Sequence, residues 1–209
     1  MRRWAIRSRS ETVSASRTLA EGSELVVLPT FVMLKPIKVE LIPHNPLWSA
    51  MAAEEGVLLV AALEPCLVGV HHVGSTAIPN IRAKPVIDLL PVVSSVVELD
   101  RRKADIEALG YEYWGEYGLP GRRYCTKSDP TTGKRIVQLH CYVEGSPEIT
   151  RHLAFRDHLR LNPNLARAYE REKARCQALH RDNSHDYSDC KSGWIKRIEA
   201  EVLAALSRE

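Results

Sequence analysis

The stretch that decides the fold is His71-His72-Val73-Gly74-Ser75-Thr76-Ala77-Ile78-Pro79-Asn80-Ile81-Arg82-Ala83-Lys84-Pro85-Val86-Ile87-Asp88-Leu89-Leu90. Apolar, β-branched runs occupy 67–73 and 86–93, and their short length favours strands over helices. Small residues join the two runs. The stretch therefore predicts two buried strands connected by a loop that begins with a tight bend.

The bend carries groups that suit an anion. Gly74 allows the backbone to approach a ligand closely, and successive N–H groups can form an anion-binding concavity. Ser75 and Thr76 add hydroxyl groups, and Lys84 adds a positive charge. Together these features predict a phosphate-binding loop.

Asp88 stands alone in an apolar strand, where an ionised carboxylate is costly unless it is paired, metal-bound or exposed. A glycine-serine bend followed by an aspartate on the next strand resembles the layout of the nucleotidyltransferase superfamily. That resemblance implies that the bend holds a triphosphate and that Asp88 holds Mg²⁺. The alternative is a plain turn, with Asp88 capping a neighbour or facing solvent.

Four segments resemble the GrpB family, a branch of that superfamily, and they occur in the family's order. The similarity extends from about Lys38 to about Leu206. The segments are Val73-Gly74-Ser75-Thr76-Ala77-Ile78-Pro79, Ala83-Lys84-Pro85-Val86-Ile87-Asp88, Pro120-Gly121-Arg122-Arg123-Tyr124 and Arg151-His152-Leu153-Ala154-Phe155-Arg156-Asp157.

The resemblance implies a set of site residues. Asp88 is expected to be the metal ligand, and His140 a general base or second ligand, since an imidazole titrates near pH 6.5; a structural histidine is the alternative. The expected phosphate- or nucleotide-binding residues are Gly74, Ser75, Thr76, Lys84, Arg122, Arg123, Arg151, His152 and Arg156. Because neighbouring strand residues point to opposite faces, at most one of Arg122 and Arg123 should enter a site. A solvated surface charge is the alternative for either.

One departure weakens the catalytic interpretation. The superfamily motif places a second acid two residues after the first, where this chain has Leu90. Transfer of a nucleotidyl group from a nucleoside triphosphate to an unknown acceptor, with Mg²⁺, is the leading hypothesis. A catalytically silent module that binds a nucleotide or another phosphorylated small molecule is the second, and relatives fused to dephospho-CoA kinase suit such a helper. A structural or partner-binding domain is the third.

Composition sets broader bounds. The chain has 209 residues, 44% hydrophobic and 26% charged, with a net charge of +3, which is ordinary for a globular domain. No apolar run is long enough to span a membrane, and nucleic acid is disfavoured as a partner but stays open. The five scattered cysteines predict free thiols in a reducing compartment, hence a cytoplasmic protein.

The pattern along the chain predicts an α+β fold, with a nucleotidyltransferase-like mixed sheet, flanking helices and a helical C-terminal part. Residues 1–35 are expected to be a poorly ordered extension or a mis-annotated start, with an Arg- and Ser-rich targeting segment as the alternative. Residues 36–209 form the predicted GrpB-like domain. Further expected elements are an edge strand at 39–42, a helix from 45 to 64, one helix from 95 to 109, strands at 111–114, 123–127 and 136–143, and helices at 148–161, 165–179 and 191–206, with a polar loop at 180–189.

Overall fold

The structure, a computed structural model, describes residues 34–208. The predicted N-terminal extension, residues 1–35, therefore lies outside the described residues except for its last two positions. No helix in the described part of the chain is long and apolar enough to cross a membrane.

A five-stranded mixed sheet lies at the centre of the described region. Its strands are β1 (Leu67–Val73), β2 (Ile87–Val93), β3 (Tyr111–Tyr113), β4 (Arg123–Ser128) and β5 (Arg135–Val143). They lie in the order β1-β2-β5-β4-β3, with β2 and β5 parallel and the other neighbours antiparallel. The segment between β2 and β5 contains two helices and the β3–β4 pair, so it is long enough for a parallel crossover.

Helices cover both faces of this sheet. They are α1 (Leu47–Leu63), α2 (Val96–Arg101), α3 (Lys103–Ala108), α4 (Pro147–Leu161), α5 (Pro163–Leu179) and α6 (Ser184–Leu206). The predicted α+β fold, with a mixed sheet, flanking helices and a helical C-terminal part, is confirmed.

The alternation of side chains along β2 separates two environments. Ile87 and Leu89 join the main core with residues of α1, α2 and α3. Leu90 and Val92 point to the other face, where they pack with Tyr142 against α4. Asp88 lies on this second face, so the sheet presents the acid towards the C-terminal helices.

Side-chain caps explain where several helices begin. The backbone N–H of Glu98 donates to Ser95 Oγ at 3.4 Å, as expected for an N-cap, and that of Leu47, the first residue of α1, donates to Asn45 Oδ1 at 3.0 Å. The single helix expected over 95–109 is interrupted at Arg102 and becomes α2 and α3. The edge strand expected at 39–42 is reduced to one bridge between Ile42 and Ala83.

The predicted polar loop at 180–189 is wrong over most of its length, because α6 begins at Ser184. Asn183 caps this helix, since its side-chain oxygen accepts from the backbone N–H groups of His185 and Asp186. The polar residues at 180–189 favour a loop prediction, but residues 184–189 form the start of a helix whose buried face includes Tyr187. The early start matters because it fixes Tyr187, Ser188 and Lys191 on a rigid element.

The expectation of five free thiols is also wrong. Cys176 of α5 and Cys190 of α6 form a disulfide, while Cys66, Cys125 and Cys141 are buried free thiols. The two bonded residues are 14 positions apart in the sequence. Their scattered spacing concealed a contact that only the packing of α5 against α6 creates.

Candidate functional site

The bend after β1 lies directly against the carboxylate of Asp88. Val73 pairs with Asp88 across the β1–β2 ladder, and the chain then turns through Gly74 into a 3₁₀ turn at Ser75–Ala77. Gly74 has φ +70°, and a Cβ built there would lie 2.3 Å from Asp88 Oδ2. Both the backbone conformation and the space beside it therefore require glycine at this position.

A cavity of about 310 Å³ opens between this bend, the polar face of the sheet and helices α4, α5 and α6. We call it the first cavity. It contains eight of the eleven sequence-predicted site positions: Gly74, Ser75, Thr76, Lys84, Asp88, His140, Arg151 and His152. The structure thus brings together residues that are up to 78 positions apart (152 − 74) in the chain.

Asp88 and His140 face each other on the parallel strands β2 and β5. His140 Nε2 lies 3.6 Å from Asp88 Oδ1, and both side chains are largely buried. The neighbouring Gln138 accepts a hydrogen bond from the Tyr124 hydroxyl group at 2.9 Å. The histidine is therefore placed where its ring can act together with the carboxylate.

The two hydroxyl groups of the bend are already engaged. Thr76 Oγ1 lies 2.9 Å from His72 Nε2 and 3.4 Å from the carbonyl oxygen of Val86, and Thr76 is almost fully buried. Burial lowers the pKa of His72 to about 4, so its ring is neutral near pH 7. Ser75 Oγ donates to the Tyr169 hydroxyl at 3.3 Å in a part-buried contact, and both residues line the cavity.

Lys84, in the segment before β2, and Lys191 of α6 supply positive charge to the cavity. Their Nζ atoms lie 5.5 Å and 5.6 Å from the centroid of the Tyr187 ring. Burial, and then the charge of Lys191, lowers the pKa of Lys84 to about 8. Neither ammonium group is within 4 Å of a carboxylate oxygen among the residues described. Such a pair can gain an anionic partner without losing an existing one.

Arg151 and His152 line the cavity from α4 with much of their hydrogen bonding satisfied. Arg151 donates to Glu148 and to Glu199, and burial raises the pKa of Glu199 despite that contact. His152 Nδ1 lies 2.7 Å from the backbone oxygen of Glu148, so the nitrogen must donate and Nε2 carries the lone pair. Burial lowers the pKa of His152 to about 4.

The remaining predicted cations do not line the cavity. Arg122 donates to the backbone oxygens of Glu116 and Tyr117, and Arg123 binds both carboxylate oxygens of Asp100. Arg156 donates to the backbone oxygen of His72 and to the adjacent Asp157. Phosphate binding by these three arginines stays a prediction, and their present contacts give each a structural role.

Comparison with known proteins identifies the family. The protein-family model described as "GrpB protein" matches residues 38–201 of this chain. The chain belongs to the GrpB family. It is similar to "UPF0157 protein YqkA" of Bacillus subtilis, with 38% identity over 91% of this chain and 53% of that protein. The chain therefore spans about half the length of this Bacillus relative.

Other GrpB relatives match more of their own length. "UPF0157 protein PA4798" of Pseudomonas aeruginosa is 33% identical over 80% of this chain and 69% of that protein. The crystal structure of conserved protein GrpB from Enterococcus faecalis has a TM-score of 0.74 at 39% identity, covering 80% of this chain and 99% of that chain. The fold described above is thus the fold of a solved GrpB protein.

The departure at Leu90 has a clear structural setting in this GrpB chain. Leu90 is fully buried on the same face as Asp88 and packs with Val73, Val92 and Tyr142. A carboxylate there would lack water and a cationic partner. Among the residues that line the cavity, Asp88 is therefore the carboxylate supplied by the sheet. Glu199 of α6 also lines the cavity, but it accepts a hydrogen bond from Arg151.

Mg²⁺ can still be tested against these donors. This ion commonly takes one or two carboxylates and completes its shell with waters and phosphate oxygens. Asp88 with the lining amide of Gln138 fits that pattern only when a ligand supplies further oxygens. The donor set therefore suits a metal that arrives with a phosphate, and not a site formed by protein ligands alone.

Sequence reasoning undervalued α6. Tyr187, Ser188 and Lys191 all line the first cavity, although none of them is among the predicted site residues. The available signal was the Tyr-x-x-x-Lys spacing of Tyr187 and Lys191, which places both on one face if the segment is helical. Reading the segment as a loop removed that inference.

Proposed function

We propose that this GrpB protein binds a nucleoside triphosphate with Mg²⁺ in the first cavity and transfers a nucleotidyl group to an acceptor. The observation that supports it most is the placement of Asp88 against the Gly74 bend, in a cavity also lined by Lys84 and Lys191, neither of which has a carboxylate oxygen within 4 Å among the described residues. A polyanion would pair with Lys84 and Lys191, and backbone N–H groups of the Gly74–Ser75 bend would bind its phosphates.

The roles follow from the geometry. Lys84 and Lys191 would neutralise charge on the departing phosphates, since phosphoryl chemistry depends mainly on positioning and cations. Asp88 and Gln138 would hold Mg²⁺, which would neutralise part of the phosphate charge when bound. His140 would accept the proton of the acceptor hydroxyl as its oxygen bonds to the α-phosphorus, while the bond to the β-phosphate breaks and pyrophosphate leaves.

A second candidate is a silent nucleotide- or phosphometabolite-binding module. The burial of Leu90 in an apolar cluster favours it, because two-metal catalysis needs more carboxylates than the sheet offers. Both candidates involve small phosphorylated ligands, and neither requires nucleic acid. We propose a cytoplasmic location with the first candidate, because nucleoside triphosphates are intracellular substrates; the Cys176–Cys190 disulfide stands against it.

The decisive experiment compares Asp88→Asn with Asp182→Asn, an exposed acid outside the cavity. Thermal shifts are measured with ATP, GTP, CTP and UTP, with and without Mg²⁺. We expect the unchanged protein and Asp182→Asn to gain extra stabilisation when Mg²⁺ accompanies the nucleotide, and Asp88→Asn to lose that extra part.

Release of pyrophosphate in the presence of acceptor mixtures separates the two candidates. Turnover that Asp88→Asn abolishes supports transfer, whereas nucleotide-dependent stabilisation without turnover supports the silent module. If no nucleotide stabilises the protein under any condition, both proposals are wrong.

A further inference from the structure

A second cavity, of about 560 Å³, borders the Lys84–Val86 segment. Its walls come from residues 37–42, the first turns of α1 and the turn between β4 and β5. Lys84 and Val86 line both cavities. Nothing in the nucleotide proposal uses the rest of this second cavity.

One wall of the second cavity is apolar. Trp48 is almost fully buried and forms part of the main core, while Met51 lies one turn further along α1 and is 45% exposed. Ile136 of β5 contributes from the sheet. A concave surface of this kind, with a few polar groups, is typical of small-molecule sites.

The polar groups are mainly cationic. Lys38, Lys84, Lys134 and Arg135 line the cavity with two acids, Glu40 and Asp129. The carboxylate of Asp129 accepts three hydrogen bonds, from the N–H groups of Thr131 and Thr132 and from the Thr132 hydroxyl. Asp129 is therefore committed to its own turn, which leaves an excess of positive charge facing the space.

Arg135 supplies the polar group that lacks a partner. Its Nε atom is buried and makes no hydrogen bond to any described residue. An unsatisfied buried donor is destabilising, and Arg135 lines the cavity, so an acceptor placed there would give the guanidinium a partner. The planar fork of arginine suits a carboxylate or a phosphate.

We propose that the second cavity is a binding site for an organic anion with an aromatic or aliphatic body. Its acid group, a carboxylate or a phosphate monoester, binds Arg135. Its apolar body packs against Trp48, Met51 and Ile136. This site shares Lys84 and Val86 with the first cavity, and its occupation does not depend on the proposed nucleotide chemistry.

The test titrates the intact chain with 2-naphthoate, 2-naphthyl phosphate and the uncharged 2-naphthylmethanol, with amide NMR shifts as the readout. We expect both anions to bind about tenfold or more tightly than the alcohol, with shifts at α1 and at the β4–β5 turn. A preference for one anion identifies the acid group and supports the proposal.

Two variants locate the site. Arg135→Gln should weaken both anions about tenfold or more and leave the alcohol unchanged, whereas Arg167→Gln, which removes an exposed arginine bonded to Asn164, should change neither. Met51→Trp should fill the cavity and block all three probes. Leu47→Trp, on the same helix but outside the cavity and 63% exposed, is its control.

The contrary results are equally specific. Equal binding of 2-naphthoate by the unchanged protein and Arg135→Gln would overturn the proposal, as would shifts confined to the first cavity. Lys191 lines the first cavity and not the second. The Lys191→Gln variant should therefore leave naphthoate binding intact. Failure here and failure of the nucleotide proposal therefore appear in different titrations.

Discussion

Two groups of cations in this molecule have opposite surroundings. Arg122 and Arg123, after the Pro-Gly turn, have protein partners for their guanidinium groups: two backbone oxygens for the first and the carboxylate of Asp100 for the second. Lys84 and Lys191 flank Tyr187 in the first cavity, without a carboxylate oxygen within 4 Å among the described residues.

The difference distinguishes arginines whose protein contacts stabilise the fold from lysines that are placed to bind a ligand. Pairing with Arg123 lowers the pKa of Asp100, which shows a stabilising contact already made. Burial, and then the charge of Lys191, lowers the pKa of Lys84 to about 8 against a smaller opposing effect of Asp88, so its surroundings favour the charged form less than water does. Perturbed groups of the second kind, in a cavity, mark candidate binding sites.

The first prediction sets the two groups against each other by removing one charge from each. Lys84→Gln and Lys191→Gln should each weaken Mg²⁺–ATP binding by about 10-fold to about 150-fold, the equivalent of one charge-assisted hydrogen bond of about 1.5–3 kcal/mol. Arg123→Gln should leave the affinity unchanged and lower the free energy of unfolding by about 1 kcal/mol.

Isothermal titration gives the affinities, and urea unfolding gives the stabilities. The distinction between structural arginines and ligand-binding lysines is wrong if Arg123→Gln loses ATP affinity as strongly as the lysine variants. It is also wrong if the lysine variants bind ATP normally, since the cavity would then be recognising phosphates through other groups.

The sequence contained enough to predict the bend, its two strands and the position of Asp88. These features depend on local pattern: apolar alternation for the strands, small residues for the turn and one acid within an apolar run. Lys84 was predicted for the same reason, because it lies within the decisive stretch. In all these cases the residues that carry the signal are near one another in the chain.

The arginines could not be assigned in this way. The partner of Arg123 is Asp100, 23 residues earlier, on a helix whose packing against the sheet no local pattern specifies. Arg122 is held by loop carbonyl groups that carry no side-chain signal. A Pro-Gly-Arg-Arg segment is the same sequence whether its charges face a ligand or close a loop.

The second prediction uses pH to identify which lysine binds phosphate. Lys84 has a pKa of about 8 in the free protein, lowered first by burial and then by Lys191. The charged form that binds an anion therefore dominates below about pH 8 and is lost above it. ATP affinity should fall by up to about tenfold between pH 7 and pH 9, following the protonated fraction.

Two variants make this pH profile diagnostic. Lys84→Gln should bind weakly with no fall in this window. Lys191→Gln should retain the fall but shift it to higher pH, because removing the neighbouring charge raises the pKa of Lys84. Titrations at pH 6.5, 7.5, 8.5 and 9.5 test this, and an unchanged profile in Lys84→Gln would remove Lys84 from the phosphate site.

The third prediction concerns Lys173, which shares features with both groups of cations: it has a protein acceptor, like the arginines, and a lowered pKa, like Lys84. Lys173 is fully buried, donates to the backbone oxygen of Arg82 and lies 4.8 Å from the Tyr169 ring centroid. Burial, and then Lys191, lowers its pKa to about 7. Its ordinary pKa is about 10.4, so between these values the unfolded chain binds a proton that the folded chain does not.

This gives a definite sign for stability. In that window the contribution of Lys173 to the free energy of unfolding should rise with pH, by at most about 1.4 kcal/mol per unit, and it should be flat below about pH 7. Urea unfolding of the unchanged protein and Lys173→Met at pH 6, 7, 8 and 9 measures the difference between them. Lys196→Met, an exposed lysine, should show no such slope. A flat difference for Lys173→Met would mean that the folded protein keeps this ammonium charged, and Lys173 would then belong with the arginines that the fold has already satisfied.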